Sequence, residues 1–235
     1  QKQFSASAAH ELRTPLAVMQ TNLEVFARKK TPTIEEYQDI FEMIQNQTER
    51  LSHLSEVLLD MTGIQSVERS DSISLAELTD EVCCDLASIA DQKKVELIQE
   101  EGDCTVTGSY LLLYRAVYNL VENAIKYNHS GGKVTVKISQ KKDLPAAHSK
   151  PTDYALVEVT DTGIGISPKF QEKIFDPFFR VDKSRSRAMG GAGLGLALVN
   201  EIARQHGGQV KVLASSKKGS TIALMLPINS PLIAI

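Results

Sequence analysis

Residues 9–26, AHELRTPLAVMQTNLEVF, place Leu12, Leu16, Met19, Leu23 and Phe26 at alternating steps of three and four. That spacing draws one narrow apolar stripe along an α-helix. The pattern stops at Pro32, and Thr33 followed by Glu36 has the form of a capping box that opens a second helix. There Ile40, Ile44, Leu51, Leu54, Leu58 and Met61 repeat the stepping, with polar Gln47 in the seam, until Gly63 closes the helix. A hairpin of about 60 residues holds too little core to bury both seams by itself. The economical arrangement is a dimeric four-helix bundle made by two copies of the chain.

The 235 residues, 42% apolar and 23% charged, have the balance of a globular chain with room for one large domain or two small ones. A formal charge of -3 supplies no overall basic field of the kind that holds nucleic acid or an anionic membrane surface. Cys83, Cys84 and Cys104 have neither the number of a disulfide framework nor the spacing of a zinc site, which suits a reducing compartment. The apolar run from Leu111 to Val121 is interrupted by Tyr114, Arg115 and Asn119 and is too short to span a bilayer, so this stretch of chain is expected to be soluble. It opens without methionine or a signal-peptide pattern and already reads as helix, and it is therefore expected to be a piece of something longer.

Beyond the hairpin, residues 1–65, a polar stretch at 66–74 reads as a linker, and 75–229 has mixed character. Leu75–Asp91, Tyr110–Tyr127 and Leu194–His206 are expected helices, the last ended by Gly207 and Gly208. Val95–Gln99, Lys133–Ser139, Tyr154–Thr160, Gln209–Ala214 and Ser220–Leu226 alternate as strands, with a polar, proline-bearing loop across 140–153. The expected fold class is thus α followed by α/β: a helical hairpin, then a sandwich with helices on one face of a mixed sheet.

On the first helix, His10 and Thr14 lie off the apolar stripe and one turn apart, so an imidazole and a hydroxyl share a face beside Glu11. Pro15 removes a backbone donor within the helix, a local weakness at which the helix is expected to bend. The heptapeptide HELRTPL, 10–16, resembles the phosphoacceptor box of the sensor histidine kinases of bacterial two-component systems at every position. Four more stretches resemble that family's motifs, in its order: NLVENAIKYN (119–128), DTGIGI (161–166), FDPFFRVD (175–182) and GGAGLGL (190–196).

The resemblance implies an α/β sandwich of the histidine kinase and gyrase type that binds ATP and Mg²⁺. It implies Asn123 as the magnesium ligand, with Asn119, Lys126 and Tyr127 lining the nucleotide. Asp161 is expected to accept from the adenine amino group, with Gly163 and Gly165 letting the backbone come close where a Cβ would stand in the way. Phe178 and Arg180 are expected at the nucleotide, Arg180 on phosphate. Lys183, Arg185 and Arg187 fall in the family's mobile lid, and Gly191, Gly193, Leu194, Gly195 and Leu196 are expected where a helix N-terminus meets phosphate.

By the same resemblance His10 is the phosphorylated residue, Glu11 its acid–base partner, and Thr14 the residue that serves a second activity, dephosphorylation of the partner. That partner is the receiver domain of a response regulator. The family's place is the cytoplasmic face of a bacterial membrane, reached through upstream helices. A plain ATPase of the wider superfamily would carry a glutamate where this chain has Asn119, an amide that cannot act as a base. His53, His129 and His148 are read as seam-edge and turn residues, and His206 as a cation suited to a helix C-terminus.

Overall fold

Helices α1 (Lys2–Ala27) and α2 (Ile34–Gly63) pack against each other as a hairpin. The computed structural model describes residues 2–64, 67–142, 153–181 and 193–228. At the hairpin turn the Thr33 N–H donates to Glu36 Oε2 at 3.0 Å, and the Glu36 N–H donates to Thr33 Oγ1 at 3.2 Å. This reciprocal cap satisfies two donors that the first turn of α2 would otherwise leave open. Lys29 pairs with Glu36 at 2.5 Å, and Phe26 meets Tyr37 edge-on at 5.0 Å, fixing the reversal from both sides. Helix α1 continues through Pro15, whose side chain is buried.

The two seams divide in the folded chain. Leu16 and Leu23 of the first seam are 53% and 45% exposed, and Phe41, off the second seam, is also largely exposed, whereas Leu54 of the second seam is buried together with its neighbours Val57 and Ile64. Those three join an apolar cluster that continues into the α/β part of the molecule.

That part begins earlier than the sequence pattern suggests. The second half of the stretch read as a linker forms β1 (Asp71–Ser74), antiparallel to a strand at Thr105–Gly108, with Ile73 opposite Val106. Both strands are four residues long and mostly Ser, Thr and Asp, so only one buried apolar residue in each marks them. Ser74 also caps α3 (Leu75–Lys93) by accepting from the Glu77 N–H at 3.2 Å.

After β2 (Glu96–Gln99) and β3 (Thr105–Gly108) comes α4 (Tyr110–Lys126), then β4 (Lys133–Lys142) and β5 (Asp153–Asp161). Short 3₁₀ turns at Pro168–Phe170 and Lys173–Phe175 lead toward α5 (Gly195–Gln205), β6 (Gln209–Ser216) and β7 (Gly219–Pro227). Five strands make one sheet in the order β2-β4-β5-β7-β6, with β2 parallel to β4 and the other pairs antiparallel. Strands β4 and β5 pair out to Lys142 and Asp153, so both ends of the expected loop at 140–153 are ladder; 143–152 lie outside the described residues.

Helices α3, α4 and α5 bury their apolar faces against one side of the sheet, where Val134, Val136, Val157, Val159 and Leu224 are nearly solvent-free. At about 1.5–3 kcal/mol for each fully buried aliphatic side chain, this shared core is what holds the helices to the sheet. Leu156, Ala223 and Met225 form a small second cluster.

Candidate functional site

Helix α4 starts at Ser109, whose hydroxyl accepts from the Leu112 N–H. Its core stripe runs through Leu113, Ala116, Val117, Leu120, Val121 and Ile125, which leaves Asn119, Glu122, Asn123 and Lys126 along the edge of a cleft. Asn119 donates through Nδ2 to the Arg115 carbonyl at 2.8 Å, and Asn123 does the same to the Asn119 carbonyl at 2.7 Å. With one N–H of each amide committed to the helix, each side chain still offers its oxygen and a second N–H.

The facing wall is the start of α5. Its cap, Leu194, makes no side-chain hydrogen bond to the first turn, and Leu194, Gly195 and Leu196 line the cleft, so the positive end of the helix dipole lies against it. Gly195 makes the close approach possible: a Cβ there would sit 2.5 Å from Asn119 Oδ1. Gly193, at φ +73, passes the carbonyl of Phe179 where a Cβ would come within 2.8 Å. The Phe178 N–H donates to the Gly193 carbonyl at 2.8 Å, tying the segment that carries Arg180 to the head of α5.

Charge is concentrated at this end. Burial holds the Lys126 ammonium below its usual range against the pull of Glu122, and the nearby Arg180 and Lys93 cations lower it further. An anion in the cleft would relieve that mutual repulsion and match the α5 N-terminus. At the other end lies Asp161, whose carboxyl is pushed up by burial while backbone N–H bonds from Gly163 and Ser220 pull it down. Ile164, Ile166, Ile174, Leu120 and Ile222 give the cleft apolar walls between the two ends. A flat, partly apolar group with one polar edge, joined to several negative charges, suits this layout.

Of the expected nucleotide residues, Asn119, Asn123, Lys126, Tyr127, Asp161, Gly165, Arg180, Gly193, Leu194, Gly195 and Leu196 line this one cleft. Phe178 and Gly163 are not among the lining residues. Phe178 packs partly against the core with φ 64, and its main contribution to the cleft is the backbone tie to Gly193. The room that the glycines at 163 and 165 provide is taken by the chain itself: a Cβ would lie 2.4 Å from the Tyr127 carbonyl and 1.7 Å from that of Ser216. Lys183, Arg185, Arg187 and Gly191 lie outside the described residues. Ile164, Ile166, Val181, Ser220 and Ile222 also line the cleft, and sequence reading did not single them out. Ser220 and Ile222 reach the cleft because β7 runs antiparallel beside β5 with Asp161 opposite Ser220, a pairing that the strand pattern alone does not give.

His10 is exposed on α1, with Glu11 half-buried beside it. The Thr14 hydroxyl donates to the His10 carbonyl at 3.0 Å. None of the cleft-lining residues comes from α1 or α2. His206, expected as a cation at a helix end, is instead a buried neutral group. Its Nε2 accepts from the Ser109 N–H at 3.1 Å, and Nδ1 donates to the Ile202 carbonyl at 2.8 Å. Burial holds it below the usual imidazole range, with the Arg69 charge adding to the effect. His53 and His148 fall where no side chain is described, while His129 is exposed in a turn.

Residues 108–230 match the model of the histidine kinase-, DNA gyrase B- and HSP90-like ATPases, and residues 1–66 match that of the His kinase A (phospho-acceptor) domain. The chain belongs to the sensor histidine kinases. Sensor histidine kinase RppB of Synechocystis sp. is 34% identical over 235 residues, covering 98% of this chain and 50% of that protein. Sensor histidine kinase WalK of Bacillus subtilis is 32% identical over 230 residues, covering 96% of this chain and 36% of the relative. The chain thus spans half or less of the length of these two kinases. Among solved structures, the Acinetobacter baumannii histidine kinase AdeS superposes with a TM-score of 0.68 at 22% identity, covering 94% of this chain and 98% of that one. Histidine kinase ThkA, crystallised in complex with response regulator protein TrrA, gives 0.70 at 21% identity, covering 97% and 61%. Both likenesses establish the shared histidine kinase fold. No helix among the described residues is long and apolar enough to cross a membrane.

Proposed function

We propose that the chain is the catalytic core of a sensor kinase that transfers the γ-phosphoryl group of ATP to its own His10 and then to an aspartate of a response regulator receiver domain. The observation that carries this reading is the pairing of two features in one chain. One is a cleft with amide oxygens and cations at one end and a desolvated carboxylate at the other; the other is an exposed histidine flanked by Glu11 and Thr14. We divide the chain accordingly into a hairpin, 1–65, a connecting segment, 66–74, whose last four residues pair as β1 with β3 of the α/β part, and an ATP-binding domain, 75–229.

Phosphoryl transfer asks a protein chiefly for positioning and for neutralisation of charge. Asp161 would accept from the adenine amino group, and Lys126, Arg180 and the α5 N-terminus would hold the phosphates. Among the described residues there is no cluster of three His, Cys, Asp or Glu side chains able to hold a metal. A Mg²⁺ ion here would therefore rest on Asn123 Oδ1 and on phosphate oxygens. When bound it supplies charge neutralisation at the phosphates.

A ring nitrogen of His10 forms the new bond to phosphorus as the bond to the bridging oxygen breaks, and ADP leaves. Glu11 orients the other ring nitrogen and takes its proton. None of the cleft-lining residues described comes from the hairpin, and on this reading the cleft is brought to His10 within one chain or from a second copy. The side chain at 119 offers no base for water, which favours transfer over hydrolysis.

The reading extends to a homodimer through the hairpin, phosphatase action through Thr14, and attachment to the cytoplasmic face of a bacterial membrane through upstream segments. The exposed Leu16, Leu23 and Phe41 support the dimer. Transfer is tested by labelling the chain with γ-labelled ATP, removing the nucleotide, and adding isolated receiver domains from the same genome. Label should pass within minutes to one of them as an alkali-labile acyl phosphate. Label that stays on the kinase with every receiver contradicts the transfer step.

A further inference from the structure

The stretch 119–128 ends on Asn128, a polar residue only 8% exposed that is not among those lining the cleft. Its Nδ2 donates to the Lys133 carbonyl at 2.9 Å, and its Oδ1 accepts from the His129 N–H at 3.0 Å and the Thr162 hydroxyl at 3.2 Å. The Thr162 hydroxyl proton has the Lys133 carbonyl, at 3.4 Å, as its more distant acceptor. Thr162 Oγ1 in turn accepts from the Lys133 N–H at 2.9 Å, and the Thr162 N–H donates to the Lys133 carbonyl at 3.1 Å.

These bonds close a ring through three segments: the exit of α4, the first residue of β4 and the residue after β5. Room for it is made at Gly132, where a Cβ would stand 2.1 Å from Asn128 Oδ1. The residues on either side of the ring face the cleft. Tyr127 precedes Asn128, and Asp161 precedes Thr162. The two are also linked through residues 163 and 164, because the Ile164 N–H donates to the Tyr127 carbonyl at 3.3 Å and the Gly163 N–H donates to Asp161 Oδ1 at 2.7 Å.

We infer that Asn128 and Thr162 form a hydrogen-bonded clasp that positions Asp161, and thereby sets which nucleotide base the cleft accepts. This rests on the reading of the cleft as an ATP site. Recognition of one exocyclic group requires its acceptor to be held within about half an ångström of the productive place. Asp161 stands at the end of a strand, where the backbone ladder stops and the clasp takes over. The phosphate end depends on other elements: α4 itself, the tie from Phe178 to Gly193, and the head of α5. Asn128 and Thr162 are therefore positioning residues for the base, with the phosphate grip left to the others.

The test uses the wild-type chain, Thr162→Val, Asn128→Ala and Asn128→Ser, titrated calorimetrically with ATP and with inosine triphosphate, which has an oxygen in place of the adenine amino group. Thermal midpoints are measured alongside. Thr162 is exposed, so the valine variant removes the hydroxyl without opening the core. Wild type should prefer ATP. In Thr162→Val and Asn128→Ala, ATP affinity should fall about tenfold, the cost of one broken, partly buried hydrogen bond. Inosine triphosphate should stay within about twofold. Asn128→Ser, which keeps an oxygen, should recover part of the preference.

A parallel loss for both nucleotides, or unchanged ATP binding in a folded Thr162→Val chain, overturns the clasp. If Asn128→Ala unfolds, Thr162→Val alone decides. A wild-type chain that binds neither nucleotide overturns the reading of the cleft itself, and the clasp with it.

Discussion

The Thr14 hydroxyl lies one helical turn from His10 and donates to its carbonyl across 3.0 Å. Its proton is thereby occupied, and the oxygen lone pairs remain to accept from a water molecule near the imidazole. Thr14→Ala should keep most autophosphorylation while dephosphorylation of a phosphorylated receiver drops by about a hundredfold, the scale of a misplaced reactant. Both activities are followed with the same labelled preparation. Equal loss of both would mean that Thr14 acts on the shape of the His10 turn.

His206 gives a pH prediction with a definite sign. The buried ring bonds Ser109 and Ile202 as a neutral imidazole, and burial, with Arg69, holds its affinity for protons below that of a free histidine. The unfolded chain therefore binds the proton first as pH falls below about 6.5. Stability supplied by the neutral ring is complete above that pH and is lost as pH drops toward the lowered folded value. The thermal midpoint should fall more between pH 8 and 5.5 in wild type than in His206→Leu. At pH 8 the variant should be about 1–3 kcal/mol less stable because the Ser109 N–H loses its acceptor. Identical pH dependence in the two chains would contradict this assignment.

Where local chemistry decided the outcome, the sequence was readable. The Thr33–Glu36 capping box forms as its spacing requires, and the α4 stripe leaves Asn119 and Asn123 on one edge. What could not be read depended on distant neighbours. Strands β1 and β3 are short and polar, and each is defined by the other, 31 to 37 residues away in the chain. His206 looked like a helix-end cation because only the fold brings Ser109 to its ring, across 97 residues. Gly163 and Gly165 carry the pattern of a nucleotide loop, yet the atoms that forbid a Cβ there are the carbonyls of Tyr127 and Ser216. A motif identifies a place in the fold, and packing identifies what each residue there touches.

Leu16 and Leu23 on α1 and Phe41 on α2 are large apolar side chains left exposed in the single chain, and the proposed dimer would cover them. Sedimentation equilibrium should give a mass twice that of the chain, and Leu23→Glu combined with Phe41→Glu should return it to the single-chain mass with ATP binding intact. A concentration-independent single-chain mass for wild type would rule out the bundle.

On the proposed function, His10 receives the γ-phosphoryl group. The direct measurement is incubation of the chain with γ-labelled ATP and Mg²⁺ beside His10→Ala, followed by acid and alkali treatment of the labelled protein. Wild type alone should carry label, lost in acid and retained in alkali, as a phosphohistidine behaves. Equal labelling of His10→Ala, or no label on a wild-type chain that binds ATP, would contradict it.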